Sequence, residues 1–292
     1  MSDEIEIKLA LAPSAVDALI AHPLLSRCES QTIALGNQYY DSEDGALQSR
    51  RIALRVRRQG ETCVQTLKSA AASQSGLSTR GEWEWPITSA RRNAAGLDIA
   101  GLEALSHPAL ADVDLARLAP VFTTDFDRRS WRYREGESDI EVALDRGEIR
   151  VGDRLLPICE LELELKAGDA DALWMLAERL CQTSGPGVEQ RALAARPANH
   201  SKASRAAHLA QGWGAPAANP APTLDDLIEA IDSWQDSGDE RWQHHALALG
   251  EALFARLPAA LQAHGKTVLA DIRDGQIPFH GAAWLALRRA LS

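Results

Sequence analysis

From Glu4 to Leu9 the chain alternates strictly, with Glu4, Glu6 and Lys8 at one parity and Ile5, Ile7 and Leu9 at the other. Successive side chains of a β-strand point to opposite faces, so this run predicts a strand with one charged and one apolar face. The pattern returns in Glu160–Lys166 (ELELELK), in Leu54–Arg57 with the opposite charge, and in Arg80–Trp85 (RGEWEW). Further period-2 runs lie near Thr32–Asp41, Ile52–Arg58, Cys63–Lys68, Gly81–Ile87, Asp125–Tyr133, Asp139–Ala143, Arg150–Leu155 and Cys159–Lys166. That is enough antiparallel strands to close a barrel. Helical spacing interrupts them at Ala95–Leu105, Leu110–Leu118 and Ala170–Gln182, and Ser14 is expected to cap a short helix after the first strand. Ser69–Ser78 reads as a mobile loop, and Gly185-Pro186-Gly187 as a turn, since no strand–helix context surrounds it.

The Pro/Ala/Gly-rich stretch that ends at Pro222 reads as a linker. It divides a domain of residues 1–212 from a small helical domain of residues 223–292, with 213–222 between them. Thr223 is placed to cap LDDLIEAIDSWQ, and two or three more helices are expected after it. Some 70 residues are marginal for independent stability, so this bundle is expected to dock on the larger domain. The expected class is therefore α+β: a closed antiparallel eight-stranded β-barrel with flanking helices, plus a small C-terminal helical bundle.

Taken singly, each alternating strand fits a sheet with one solvated face. Taken together, the strands point elsewhere. Three Glu at alternate positions on one strand repel one another unless cations intervene. The opposite faces carry Ile, Leu and Trp, which need covering. An inverted barrel meets both demands, with helices over its apolar outside and a charged tunnel within. Clustered carboxylates suit a hard cation such as Mg²⁺ or Mn²⁺. Arg forks and Lys ammoniums grip phosphate oxygens. Such a tunnel suits a metal–polyphosphate complex.

Composition narrows the picture without changing it. The net charge of −10 argues against a non-specific nucleic-acid or membrane binder. No signal peptide and no membrane span is recognised, and four scattered Cys without a CxxC pair read as reduced thiols of a cytoplasmic protein. His244, His245 and His280 lack partners at ligand spacing, and Arg288-Arg289 reads as a helix-end charge pair.

At these motifs the chain resembles the CYTH superfamily, the triphosphate tunnel metalloenzymes. EIEIK is similar to the ExExK signature that opens the family domain. The likeness continues in order through Tyr39–Asp41, Leu54–Arg57, Thr66–Lys68, Arg80–Glu84, Thr123–Trp131, Glu141–Glu148, Glu160–Lys166 and His200–Gly212. Within the family the chain resembles bacterial inorganic triphosphatases with a C-terminal CHAD domain. Residues 223–292 only faintly resemble the start of a CHAD domain, and are read as a truncated or divergent appendage that does not bind polyphosphate. The resemblance implies that Glu4, Glu6, Glu162 and Glu164 hold Mg²⁺ or Mn²⁺, with Glu160, Asp145 and Glu82 as further acidic positions. It implies that Lys8, Arg55, Arg57, Lys68, Arg80, Arg128 and Lys202 embrace the phosphates, and that Tyr39 with Lys8 activates water. Arg129 has the opposite parity to Arg128 and is expected outside. The expected reaction is hydrolysis of inorganic triphosphate, a small-molecule substrate. Its alternatives are adenylate cyclisation, thiamine or nucleoside triphosphate hydrolysis, and a polyphosphate-binding module without turnover.

Overall fold

A computed structural model describes residues 2–69, 72–74, 76–182, 192–217 and 219–291. The predicted turn at Gly185–Gly187 lies outside them. The strands are β1 (Ser2–Leu11), β2 (Ser30–Asp41), β3 (Ala53–Gln59), β4 (Thr62–Lys68), β5 (Ala72–Gln74), β6 (Leu77–Pro86), β7 (Ala119–Glu135), β8 (Ser138–Val151), β9 (Arg154–Ala167) and β10 (Ala195–Pro197). The helices are α1 (Val16–Ile20), α2 (Ala46–Ser49), α3 (Ile99–Leu105), α4 (Asp171–Cys181), α5 (Lys202–Gln211), α6 (Leu224–Ser237), α7 (Glu240–Phe254), α8 (Gln262–Arg273) and α9 (Gly281–Leu291).

Eight strands close into an antiparallel ring in the order β1-β9-β8-β7-β2-β3-β4-β6, and β6 pairs back onto β1. Short β10 and β5 add to β1 and β6. The predicted alternation decides what each face does. Ile7, Leu9, Val142, Leu144, Leu161 and Leu163 point outward and pack under Leu173, Trp174 and Leu176 of α4. On the other side Leu54, Val56 and Leu67 lie against Leu102 of α3. Burying each such side chain contributes roughly 1.5–3 kcal/mol, so the outer layers hold the charged inner face in place.

The inner face is not charged throughout. Beyond Asp145 and Glu160, the long strands β7–β9 continue the inward parity with Phe126, Ile149, Leu156 and Ile158, and Ala206 and Leu209 of α5 pack among them. Gly147 marks the change, because a Cβ there would fall 2.1 Å from the Asp125 carbonyl oxygen.

Several local expectations are corrected. Arg150–Leu155 is a hairpin between β8 and β9, turning at Gly152 (φ 57°), a left-handed conformation that glycine adopts without strain. The alternation there runs through the turn because both flanking strands are amphipathic. Ser14 makes no cap: Pro13, with its fixed φ, begins a 3-10 turn ahead of α1. Leu110–Leu118 holds only the end of one 3-10 turn and the whole of another, Leu115–Arg117. Within Ser69–Ser78, residues 72–74 pair with Leu77–Thr79 instead of forming a loop throughout.

Thr223 caps α6 in a reciprocal box with Asp226. Helices α6–α9 share a core around Leu227, Ile231, Val268, Ile272 and Trp284. Among the described residues no helix is long and apolar enough to cross a membrane. The bundle docks through Leu285 of α9, which joins the apolar core around α4, and through polar contacts. Arg289 pairs with Glu178, and the Arg288 guanidinium lies 3.7 Å from the Trp174 ring centre. Asp232 accepts from Arg196 at 2.5 Å, and Asp236 takes a two-pronged bond from Arg205.

Burial opposes ionisation of Asp232, but Arg196 and its other donors outweigh it and hold the carboxyl below its ordinary 3.8. A depressed carboxylate contributes stability that is complete above its unfolded pKa and lost as pH falls through the native one. Thermal unfolding is therefore expected to show bundle docking weakening below about pH 4. Asp232→Ala, which strands a buried guanidinium, should cost on the order of 3–5 kcal/mol in denaturant titration at neutral pH.

Candidate functional site

Inside the ring lies a cavity of about 190 Å³ walled by eight Lys/Arg and six Glu side chains, with Tyr39, Phe126 and the start of α5. Register places them. Lys8 faces Glu162 across β1–β9, Asp145 faces Arg128 across β7–β8, and Tyr39 faces Arg55 across β2–β3. Two ion-pair lattices result.

In the first, Lys68 bonds Glu4 (2.8 Å) and Glu82 (3.0 Å), and Arg80 bonds Glu4 (2.6 Å) and Glu6 (3.0 Å). Arg55 reaches Glu82 and Glu84 at 3.7 and 3.5 Å. In the second, Arg128 forks onto Asp145 with both bonds at 2.7 Å and also meets Glu162. Lys202 enters from the first turn of α5, whose N-cap is Ser201. Its ammonium touches Asp145 (2.8 Å), Glu162 (3.0 Å) and Glu160. Lys8 stands 3.8 Å from Glu162.

Arg57 differs. Its Nε donates to Asn37 Oδ1 at 3.0 Å, and among the described residues no carboxylate lies within ion-pair range of it. Burial, with Arg55 and Arg128 nearby, pulls its pKa down to about 10. Burial also lowers Lys68, with Arg80 and Arg55 adding repulsion. Burial opposes ionisation of Tyr39, yet Arg55, Lys202 and Arg57 outweigh it and pull the phenol below its ordinary value. This corner holds more positive charge than its carboxylates neutralise.

The carboxylates divide the other way. Burial opposes the charge of Glu4 and Glu162, but their cations prevail and hold Glu4 at about 2 and Glu162 well below the usual range. Burial lifts Glu164, and Glu4 and Glu141 repel its charge further. Ligand oxygens of Asp145, Glu160 and Glu162 lie within 4.8 Å of one another. An all-oxygen set of that span fits a hard divalent cation.

Every residue expected in the tunnel by parity points into the barrel. Glu6, Asp145 and Glu160 do not line the open cavity; they lie behind Arg80, Arg128 and Lys202. Glu162 groups with Asp145 and Glu160, while Glu4 and Glu6 share Arg80, and Glu164 pairs with Lys166. Lys8 pairs with Glu162, whereas the cations that influence Tyr39 are Arg55, Lys202 and Arg57. Arg129 lies outside, over the Trp131 ring. Sequence reading missed Glu84, Glu141, Lys166 and Phe126 as lining residues. Parity would have found them, since each shares its strand's face with an assigned residue.

A closed barrel with an ion-paired interior defines the class of protein, and the family match agrees with it. Residues 2–197 match the CYTH domain. The chain belongs to the CYTH domain family. A Haemophilus influenzae protein named inorganic triphosphatase is 34% identical over 181 residues, covering 62% of this chain and 50% of that protein. The chain thus spans about half the length of this curated relative. Among solved structures, a Hippeastrum protein said to reveal a dominant triphosphatase activity is 25% identical, with TM-score 0.43, covering 60% of this chain and 84% of its own. An S. pombe RNA triphosphatase is 14% identical, with TM-score 0.32, covering 56% and 70%.

If the carboxylate trio takes a divalent cation, calorimetric titration with Mn²⁺ should show saturable binding that Asp145→Asn weakens on the order of 10-fold or more. Binding that is unaltered by this substitution would place the ion elsewhere.

Proposed function

We propose that this chain hydrolyses inorganic triphosphate to pyrophosphate and phosphate inside the barrel, with a divalent cation. The observation that carries the reading is Arg57, a half-buried guanidinium with no carboxylate in ion-pair range among the described residues, beside Arg55 and Tyr39 in the cavity that also holds the carboxylate lattice. An anion of several negative charges relieves that crowding. The inorganic triphosphatase named among its relatives supports the choice of substrate.

Asp145, Glu160 and Glu162 would hold the cation, with Glu4, Glu6, Glu82 and Glu164 as further acidic positions. Bound there, Mg²⁺ or Mn²⁺ supplies charge neutralisation and a more acidic water. The chain's own residues do the rest. Phosphate oxygens take over the donors of Arg55, Arg57, Arg80, Arg128, Lys68 and Lys202, and each exchanged ion pair frees a carboxylate. Lys8 and Tyr39 stand at the cavity wall, where either can orient the attacking water. Fixed cations around the transferring phosphoryl group need no reorganisation as charge develops on it. Four unpaired thiols suit a cytoplasmic setting.

The test is phosphate release from inorganic triphosphate, ATP and thiamine triphosphate with Mg²⁺ or Mn²⁺, from neutral to alkaline pH. Inorganic triphosphate should be the preferred substrate, and no release from it would sink the reading. Glu162→Gln and Glu6→Gln should each lower kcat on the order of 100-fold or more. Arg57→Ala should raise KM roughly 10- to 100-fold, the worth of one charged hydrogen bond.

A further inference from the structure

The segment that carries Lys202 into the barrel is held from outside by α6. Asp232 is 4% exposed and accepts three bonds there, from the Arg196 guanidinium and from the backbone N–H groups of Asn199 (2.8 Å) and His200 (2.9 Å). Those two amides lie directly ahead of Ser201, the cap of α5, and Lys202, its first residue. One turn along α6, Asp236 grips Arg205 at 2.7 and 2.8 Å, and Arg205 also donates to the Pro157 carbonyl on β9 at 2.7 Å. Pro157 leads within three residues to Glu160, which Lys202 bonds. Two carboxylates of the helical bundle thus clamp α5 on both sides of Lys202.

The two backbone amides on Asp232 fix main chain, not merely a side chain. A long Lys side chain loses considerable rotamer freedom when held, and a fixed backbone origin reduces what remains to be ordered.

We propose that Asp232 and Asp236 are positioning residues for the tunnel: the bundle sets where Lys202 stands, and so sets affinity for the triphosphate. The assignment rests on the reading that Lys202 binds phosphate. It makes the bundle part of the site without giving it a ligand of its own. The clamp is separate from the docking contacts of α9, where Arg289 meets Glu178 of α4.

Calorimetric titration with inorganic triphosphate and Mn²⁺, using the full chain, tests this. Asp236→Asn, and Asp232→Asn where it folds by circular dichroism, should raise Kd between about 5- and 150-fold, the usual range for coupling between sites. KM should rise in step while kcat falls less. In a Lys202→Ala background the same substitutions should change Kd no further. Arg289→Ala, which loosens docking elsewhere, should leave Kd unchanged. An unaltered Kd in Asp236→Asn, or a full additive loss in the Lys202→Ala background, overturns the proposal. Hydrogen exchange without ligand separates it from the functional reading. Asp236→Asn should speed exchange of the α5 amides around Arg205, and Arg289→Ala should not; equal protection in both overturns the clamp even if wild-type protein binds no triphosphate.

Discussion

Charges enclosed by a closed barrel must compensate one another, because the ring excludes much of the water that would otherwise solvate them. The interior is built to that rule. Glu4 and Glu6 share Arg80, Asp145 and Glu162 share Arg128 and Lys202, and Glu82 lies between Lys68 and Arg55. Cross-strand register makes these partnerships possible, since neighbouring strands set opposite charges side by side. The outer apolar layers then pin the register, because a one-residue slip would turn the whole charged set outward. Where the lattice falls short, at Arg57, the site gains its demand for an anion.

The length of β7–β9 has a second consequence. Strands of this length carry the inward parity past the charged zone into Phe126, Ile149 and Ile158, and α5 packs there. The packing of Ala206 and Leu209 fixes the helix, and its first residue, Lys202, is thereby directed at three carboxylates. Its ammonium also lies 4.9 Å from the Phe126 ring centre. The helical bundle, through Asp232 and Asp236, holds the same helix from its other side.

Strand parity was legible because it is a local property with a period of two, and it placed Glu4, Glu6, Lys8, Arg55, Arg57, Glu160 and Glu162 on inward faces without any knowledge of pairing. The same rule misled at Arg150–Leu155, where alternation runs on through a hairpin and only Gly152 signals the turn. Glu84, Glu141 and Lys166 were passed over although parity places them on the same faces as residues that were chosen. The Thr223 cap was legible as well, since capping involves only residues three apart.

Partnership was not legible, because it depends on which strands meet and how far each is shifted. Glu162 belongs with Asp145 and Glu160 by the packing of β8, β9 and α5, although Glu4, Glu6 and Glu164 share its motif type. Arg57 and Arg55 read alike in sequence, yet only Arg55 comes within ion-pair range of Glu82 and Glu84. The inverted, charge-lined barrel was therefore legible in the alternation of all the strands taken together, because their like-charged faces need counter-charges and their large apolar faces need covering. Which charges neutralise each other, and which cation is left seeking an anion, was decided only when distant strands closed the ring and set those side chains a few ångströms apart.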